Sequence, residues 1–87
     1  MSSKDRLTEI ECATLIALAD ACNYSLHAHP PIEAICKRFP SHLHGDVKKA
    51  LKKLGKKGSC ILHPTKGTDT YYISKGGLDM ANSLRNP

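Results

Sequence analysis

The chain has 87 residues, 13 basic side chains against eight acidic ones, a net charge of +5 and a mean hydropathy of −0.35. That suffices for one small domain, expected over residues 1–87 with an ordered core from about 8 to 84, and leaves no room for a deep catalytic cleft beside a second domain. No apolar run approaches the roughly 20 residues that cross a bilayer, and Met1 to Arg6 lacks a signal-peptide core, so a soluble, intracellular (cytoplasmic) protein without a membrane partner is expected.

The charge is unevenly placed. Residues 1–40 carry four basic and five acidic side chains; residues 41–87 carry nine basic and three acidic. The second half is therefore expected to meet an anionic partner and the first half to support it.

In chain order, Thr8 and Glu11 form a capping box, so a first helix is expected from Glu9 to about Cys22, with Asn23 at its end. Its apolar residues (Ile10, Ala13, Leu15, Ala17, Leu18, Ala21) cover far more than one stripe, which predicts a central helix packed on most sides. Ile16 falls between Glu9 and Asp20 on the polar side and is read as exposed in preference to a subunit contact. Tyr24 to His29 reads as a loop closed by Pro30-Pro31. A short second helix follows to about Arg38, with Ile32, Ile35, Cys36 and Phe39 inward, and Pro40 stops it.

After a tight turn at Ser41-His42 the pattern predicts a helix from Leu43 to Lys57. Leu43, Val47, Ala50, Leu51 and Leu54 share one arc; Lys48, Lys49, Lys52, Lys53, Lys56 and Lys57 occupy the other. Gly58 suits the left-handed residue that ends many helices. Ser59–His63 and Thr70–Ser74 read as two strands around a turn-rich run, Pro64 to Asp69. Tyr71 and Ile73 are expected to face the core and Tyr72 to face out. Ser74 caps a last helix, about Lys75 to Leu84, with Leu78, Ala81 and Leu84 inward.

A helix–turn–helix followed directly by a hairpin resembles the winged helix-turn-helix domain of small prokaryotic or archaeal transcription regulators. The resemblance is carried by Ile35-Cys36-Lys37-Arg38-Phe39-Pro40, by the Leu-x-x-x-Val-x-x-x-Leu-x-x-Leu spacing from Leu43 to Leu54, and by Lys56-Lys57-Gly58. The turn at Gly67 and the closing Tyr71-Tyr72-Ile73-Ser74-Lys75-Gly76-Gly77 complete it. It spans roughly residues 8–84. It implies an α+β fold with a three-helix core, a two-stranded wing and a short C-terminal helix. It also implies sequence-specific binding of double-stranded DNA by a transcriptional regulator, with the third helix in the major groove and the wing on the backbone or minor groove.

Within that frame His44, Gly45, Asp46, Lys48 and Lys49 are placed to reach base edges. Gly45 permits close backbone approach, and Lys48 or Lys49 suits guanine O6 and N7. Asp46 suits cytosine N4, although stabilising the helix dipole is the preferred role. Lys52, Lys53, Lys56 and Lys57 suit phosphates, and Thr65, Lys66 and Thr68 would add backbone contacts from the wing. His42 reads as a turn residue. Gly55 inside the helix costs about 1 kcal/mol relative to Ala, with no reason evident in the sequence.

Cys12, Cys22, Cys36 and Cys60 include no C-x-x-C pair and read as reduced core thiols. The pairs His27-x-His29 and His42-x-His44 lack a cysteine at zinc-site spacing, so no metal and no cofactor is expected. No phosphate loop or nucleophile–base set is present, so no enzymatic activity is expected. The competing function is a winged-helix protein-interaction module that meets an acidic partner. RNA is a lesser option, because one Phe and three Tyr make no stacking platform. Monomer and homodimer both remain open; a dimer would use the first or last helix, at Ile16 or Met80.

Overall fold

A computed structural model describes residues 8–65 and 68–85, the side chains at 63–65, 68 and 69 excepted. Its order is α1 (Glu9–Ala21), α2 (Ile32–Cys36), a 3₁₀ turn (Ser41–Leu43), α3 (His44–Lys56), β1 (Cys60–Thr65), β2 (Thr68–Ile73) and α4 (Lys75–Arg85). The architecture is α+β, with four α-helices and a two-stranded antiparallel hairpin among the described residues. No described helix is long and apolar enough to cross a membrane.

The capping box forms as predicted. The Thr8 backbone N–H donates to Glu11 Oε1 at 2.8 Å, and the Glu11 N–H donates to Thr8 Oγ1 at 3.2 Å. α1 ends at Ala21 because Asn23 and Tyr24 turn left-handed, at φ 55° and 56°. In between, α1 packs against α2, α3, α4 and β2, the central position its broad apolar surface implied. Leu15 and Leu18 are fully buried there, with Ile35, Val47, Leu51, Leu54 and Ile73 around them.

α2 is shorter than predicted. It stops at Cys36, and Lys37 to Phe39 continue as a turn towards Pro40, which cannot donate to a further helical turn. The chain then makes the 3₁₀ turn, so α3 begins at His44. Val47, Ala50, Leu51 and Leu54 of α3 are buried, as the arc predicted, and Leu43 is half-buried. Gly58 takes φ +79°, the left-handed exit expected of it.

The hairpin is longer than its turn signals suggested. The register pairs Cys60 with Ile73, Leu62 with Tyr71, Pro64 with Asp69 and Thr65 with Thr68, so four residues expected in the turn belong to strands. Pro64 is tolerated because of the ladder's phase. Ser74 N–H donates to the Ser59 carbonyl at 3.2 Å, which continues the ladder in alternate rungs; Pro64 falls on a rung whose N–H groups point away from the partner. The Pro30-Pro31 segment also joins the sheet. Tyr71 N–H donates to the Pro30 carbonyl at 3.0 Å, and Pro31 bridges Thr70. Tyr72, expected outside, is half-buried, its ring 4.8 Å from that of His29.

Ser74 caps α4, as predicted. Its hydroxyl accepts from the Gly77 N–H at 3.0 Å and donates to the Gly58 carbonyl at 2.6 Å. The far end of α4 is tied to α1, where Arg85 donates to Asp20 at 2.9 Å and to the Tyr24 hydroxyl at 2.6 Å.

Candidate nucleic-acid interface

The outer face of α3 is a single ridge. Gly45, Lys49, Lys52 and Lys56 follow one another at steps of four, three and four residues, so they stack along one side of the helix. That side is opposite the buried Val47, Ala50, Leu51 and Leu54. Lys48 and Lys53 flank the ridge. All five of these lysines are exposed, and among the described residues none pairs with a carboxylate. Thirteen helical residues extend about 20 Å, more than the roughly 12 Å width of a DNA major groove.

Lys57 is placed differently. It lies seven positions after Ala50, hence on nearly the same side of the helix as the core stripe. Its Nζ stands 3.3 Å from Oε1 of Glu11, which is 2% exposed. The Glu11 carboxyl sits below its ordinary value. The Thr8 backbone N–H is the main cause and Lys57 acts in the same direction, while burial opposes both. A signal for this pair was present in the sequence. Glu11 precedes Leu15 and Leu18 at helical spacing, so it shares their buried face and needs a partner there.

His44, at the start of α3, is half-buried, and its Nε2 lies 3.0 Å from the Phe39 carbonyl oxygen. The ring thereby ties α3 back to the segment after α2. Gly45 is exposed, and a Cβ built on it would meet nothing within 4 Å. No neighbour within the fold therefore requires glycine at that position. Asp46 is exposed in the first helical turn, where a carboxylate favours the helix dipole. Thr65 and Thr68 pair at the last rung of the hairpin; Lys66 lies outside the described residues.

Between the C-terminal half of α3 and β1 runs a groove of about 470 Å³, which sequence reasoning missed. Its floor is Leu51, Cys60 and Tyr71, its walls are Gly55 and the Ile61–Leu62 segment, and Lys52 and Lys56 stand at the α3 rim. Gly55, which had no account in the sequence, forms the part of the helix wall nearest β1, where a Cβ would lie 3.8 Å from the Cys60 carbonyl oxygen.

None of the four cysteines is in a disulfide, and Cys22, Cys36 and Cys60 are buried. Cys12, expected in the core, is half-buried at the surface of α1. Burial pushes the Cys60 thiol up to about 12, with the nearby Cys22 thiol adding to the effect. The described residues contain no cluster of three or more His, Cys, Asp or Glu that could hold a metal. No family model matches the chain, and no curated protein or solved structure matches it either.

Proposed function

We propose that this chain binds double-stranded DNA as a winged helix-turn-helix regulator, with α3 laid in the major groove and the β1–β2 hairpin against the adjacent backbone. The observation that carries this reading is the ridge of α3. Five exposed lysines without described carboxylate partners stand on a helix whose opposite face is anchored in the core, followed directly by an antiparallel hairpin. The element order, with α2, a short turn, α3 and an antiparallel hairpin in sequence, is compatible with that layout.

The ridge is graded. Gly45 and Lys49 stand at the N-terminal end, where base edges are reached, and Lys52, Lys53 and Lys56 lie further along, where phosphates run. Bare backbone at Gly45 suits close approach of a ligand, since nothing inside the fold uses that space. Lys57 is assigned to the fold instead, because Glu11 holds it.

The test is fluorescence anisotropy of labelled duplexes across a salt series. With Lys52, Lys53 and Lys56 near phosphates, log affinity is expected to fall against log salt with a slope of about −3. Selection from a random duplex pool is expected to enrich a defined site. A flat salt dependence, or binding of acidic proteins without binding of duplex, would overturn the reading.

A further inference from the structure

The α3–β1 groove has features that duplex binding does not use. Ile61 and Leu62 are consecutive on β1, so they point to opposite faces of the ribbon, yet they are 41% and 45% exposed. A solvated ribbon would carry a polar residue at one of them. Glycine at position 55 weakens an exposed helix relative to alanine, and any longer side chain there would project towards β1 into the groove. The volume, about 470 Å³, falls in the range of small-molecule sites, roughly 300–1,000 Å³. Lys52 and Lys56, one helical turn apart, put two ammonium groups at the rim of an otherwise apolar cleft.

Charge complementarity decides the occupant. A second copy of the chain docked through the same groove would bring its own lysines against Lys52 and Lys56. A neutral apolar molecule would leave the cations unused, and a nucleotide would leave the exposed Leu62 uncovered. We propose that this groove binds a small amphipathic carboxylate, its acyl or aryl tail along Leu62 above the buried floor of Leu51 and Tyr71 and its head between Lys52 and Lys56, and that the occupied site excludes DNA. The exclusion rests on the DNA reading, because the head engages two lysines of the ridge and offsets one of their two charges. The binding site itself does not depend on that reading.

The probe is decanoate, with decanol as its uncharged counterpart, titrated into isotope-labelled protein without DNA. The expected result is saturable shifts confined to the methyls of Leu51 and Leu62 and the ring of Tyr71, with decanoate about tenfold tighter than decanol. The double variant Lys52→Gln/Lys56→Gln is expected to erase that difference. Leu62→Ser, a change at an exposed position that leaves the core intact, is expected to weaken both ligands. Gly55→Leu is expected to block both; its amide spectrum reports whether the fold persists, and Leu62→Ser carries the test if it does not. Equal affinity for the two probes, shifts scattered over the surface, or full binding to Leu62→Ser would overturn the site. A separate arm adds decanoate to the protein–duplex complex. Release of duplex supports exclusion, and a ternary complex overturns it. Failure of duplex binding alone leaves the NMR result standing, so the two readings fail separately.

Discussion

Lys57 Nζ and Glu11 Oε1 lie 3.3 Å apart and join the C-terminal end of α3 to the first turn of α1, with Glu11 2% exposed and the lysine side chain 32% exposed. The same carboxylate accepts the Thr8 N–H. One cation of the six-lysine run is thus committed to holding the basic helix in place. Replacing Lys57 by alanine leaves a buried carboxylate without its cation, which costs about 1–3 kcal/mol. The expected outcome is a lower urea midpoint with an unchanged salt slope for duplex binding. Lys52→Ala is expected to do the reverse, lowering the slope by about 1 with little loss of stability. Urea titration and salt-series anisotropy on both variants check the division.

Acid is expected to weaken the fold through Glu11. Its carboxyl is lowered in the folded protein, principally by the Thr8 backbone N–H. The unfolded chain therefore binds the proton more readily, and stability rises with pH across the carboxylate range. The contribution is complete above the ordinary carboxylate value and disappears as pH falls through the folded one. Glu11→Gln keeps an acceptor for Thr8 but does not titrate, so its stability is expected to depend less on pH between about 3 and 6. Urea titrations at several pH values on the two proteins measure the difference.

Two glycines are expected to answer alanine in opposite ways. At Gly77 a Cβ would fall inside the van der Waals envelope of the Ser59 carbonyl oxygen, which is backbone and cannot swing aside. Gly77→Ala is expected to destabilise the protein by about 1–3 kcal/mol or more by forcing α4 away from the start of β1.

At Gly45 the added methyl meets nothing within 4 Å and improves helix propensity. Gly45→Ala is expected to stabilise the fold by up to about 1 kcal/mol. If α3 lies in a duplex with its backbone close, the same change weakens DNA binding. Melting temperature and anisotropy, measured together, check both signs; tighter binding by this variant would count against close approach at Gly45.

The thiols are expected to react in order of exposure. Cys22, Cys36 and Cys60 are buried, and burial raises all three thiols above their ordinary value. Cys12 is half-buried. A brief treatment with iodoacetamide near neutral pH is expected to give one adduct, mapped by mass spectrometry to Cys12, and all four only in denaturant. Early modification of Cys60 would contradict its placement beneath α3.

Much of the fold was legible in local pattern. The Thr8–Glu11 box, the α3 arc of Val47, Ala50, Leu51 and Leu54, the exit at Gly58 and the cap at Ser74 each depend on residues within about one turn of one another, and each forms as the spacing predicts. The hairpin was legible as two strands but not in its extent. Turn residues such as Pro64 and Asp69 signal a turn whether or not a partner strand pairs with them, and the ladder's phase makes Pro64 acceptable.

The amino-acid sequence by itself determined that one helix would be cationic on one side and apolar on the other, because that follows from composition and a period of about 3.6 residues. It did not determine which of those cations the fold engages for itself. That depended on how α1 lies across α3, which brings Glu11 to Lys57 over a separation of 46 residues, and on how β1 diverges from α3 beyond Gly55, which opens the groove. Contacts at such separations are set by the packing of whole elements around a shared core, and no local period encodes them.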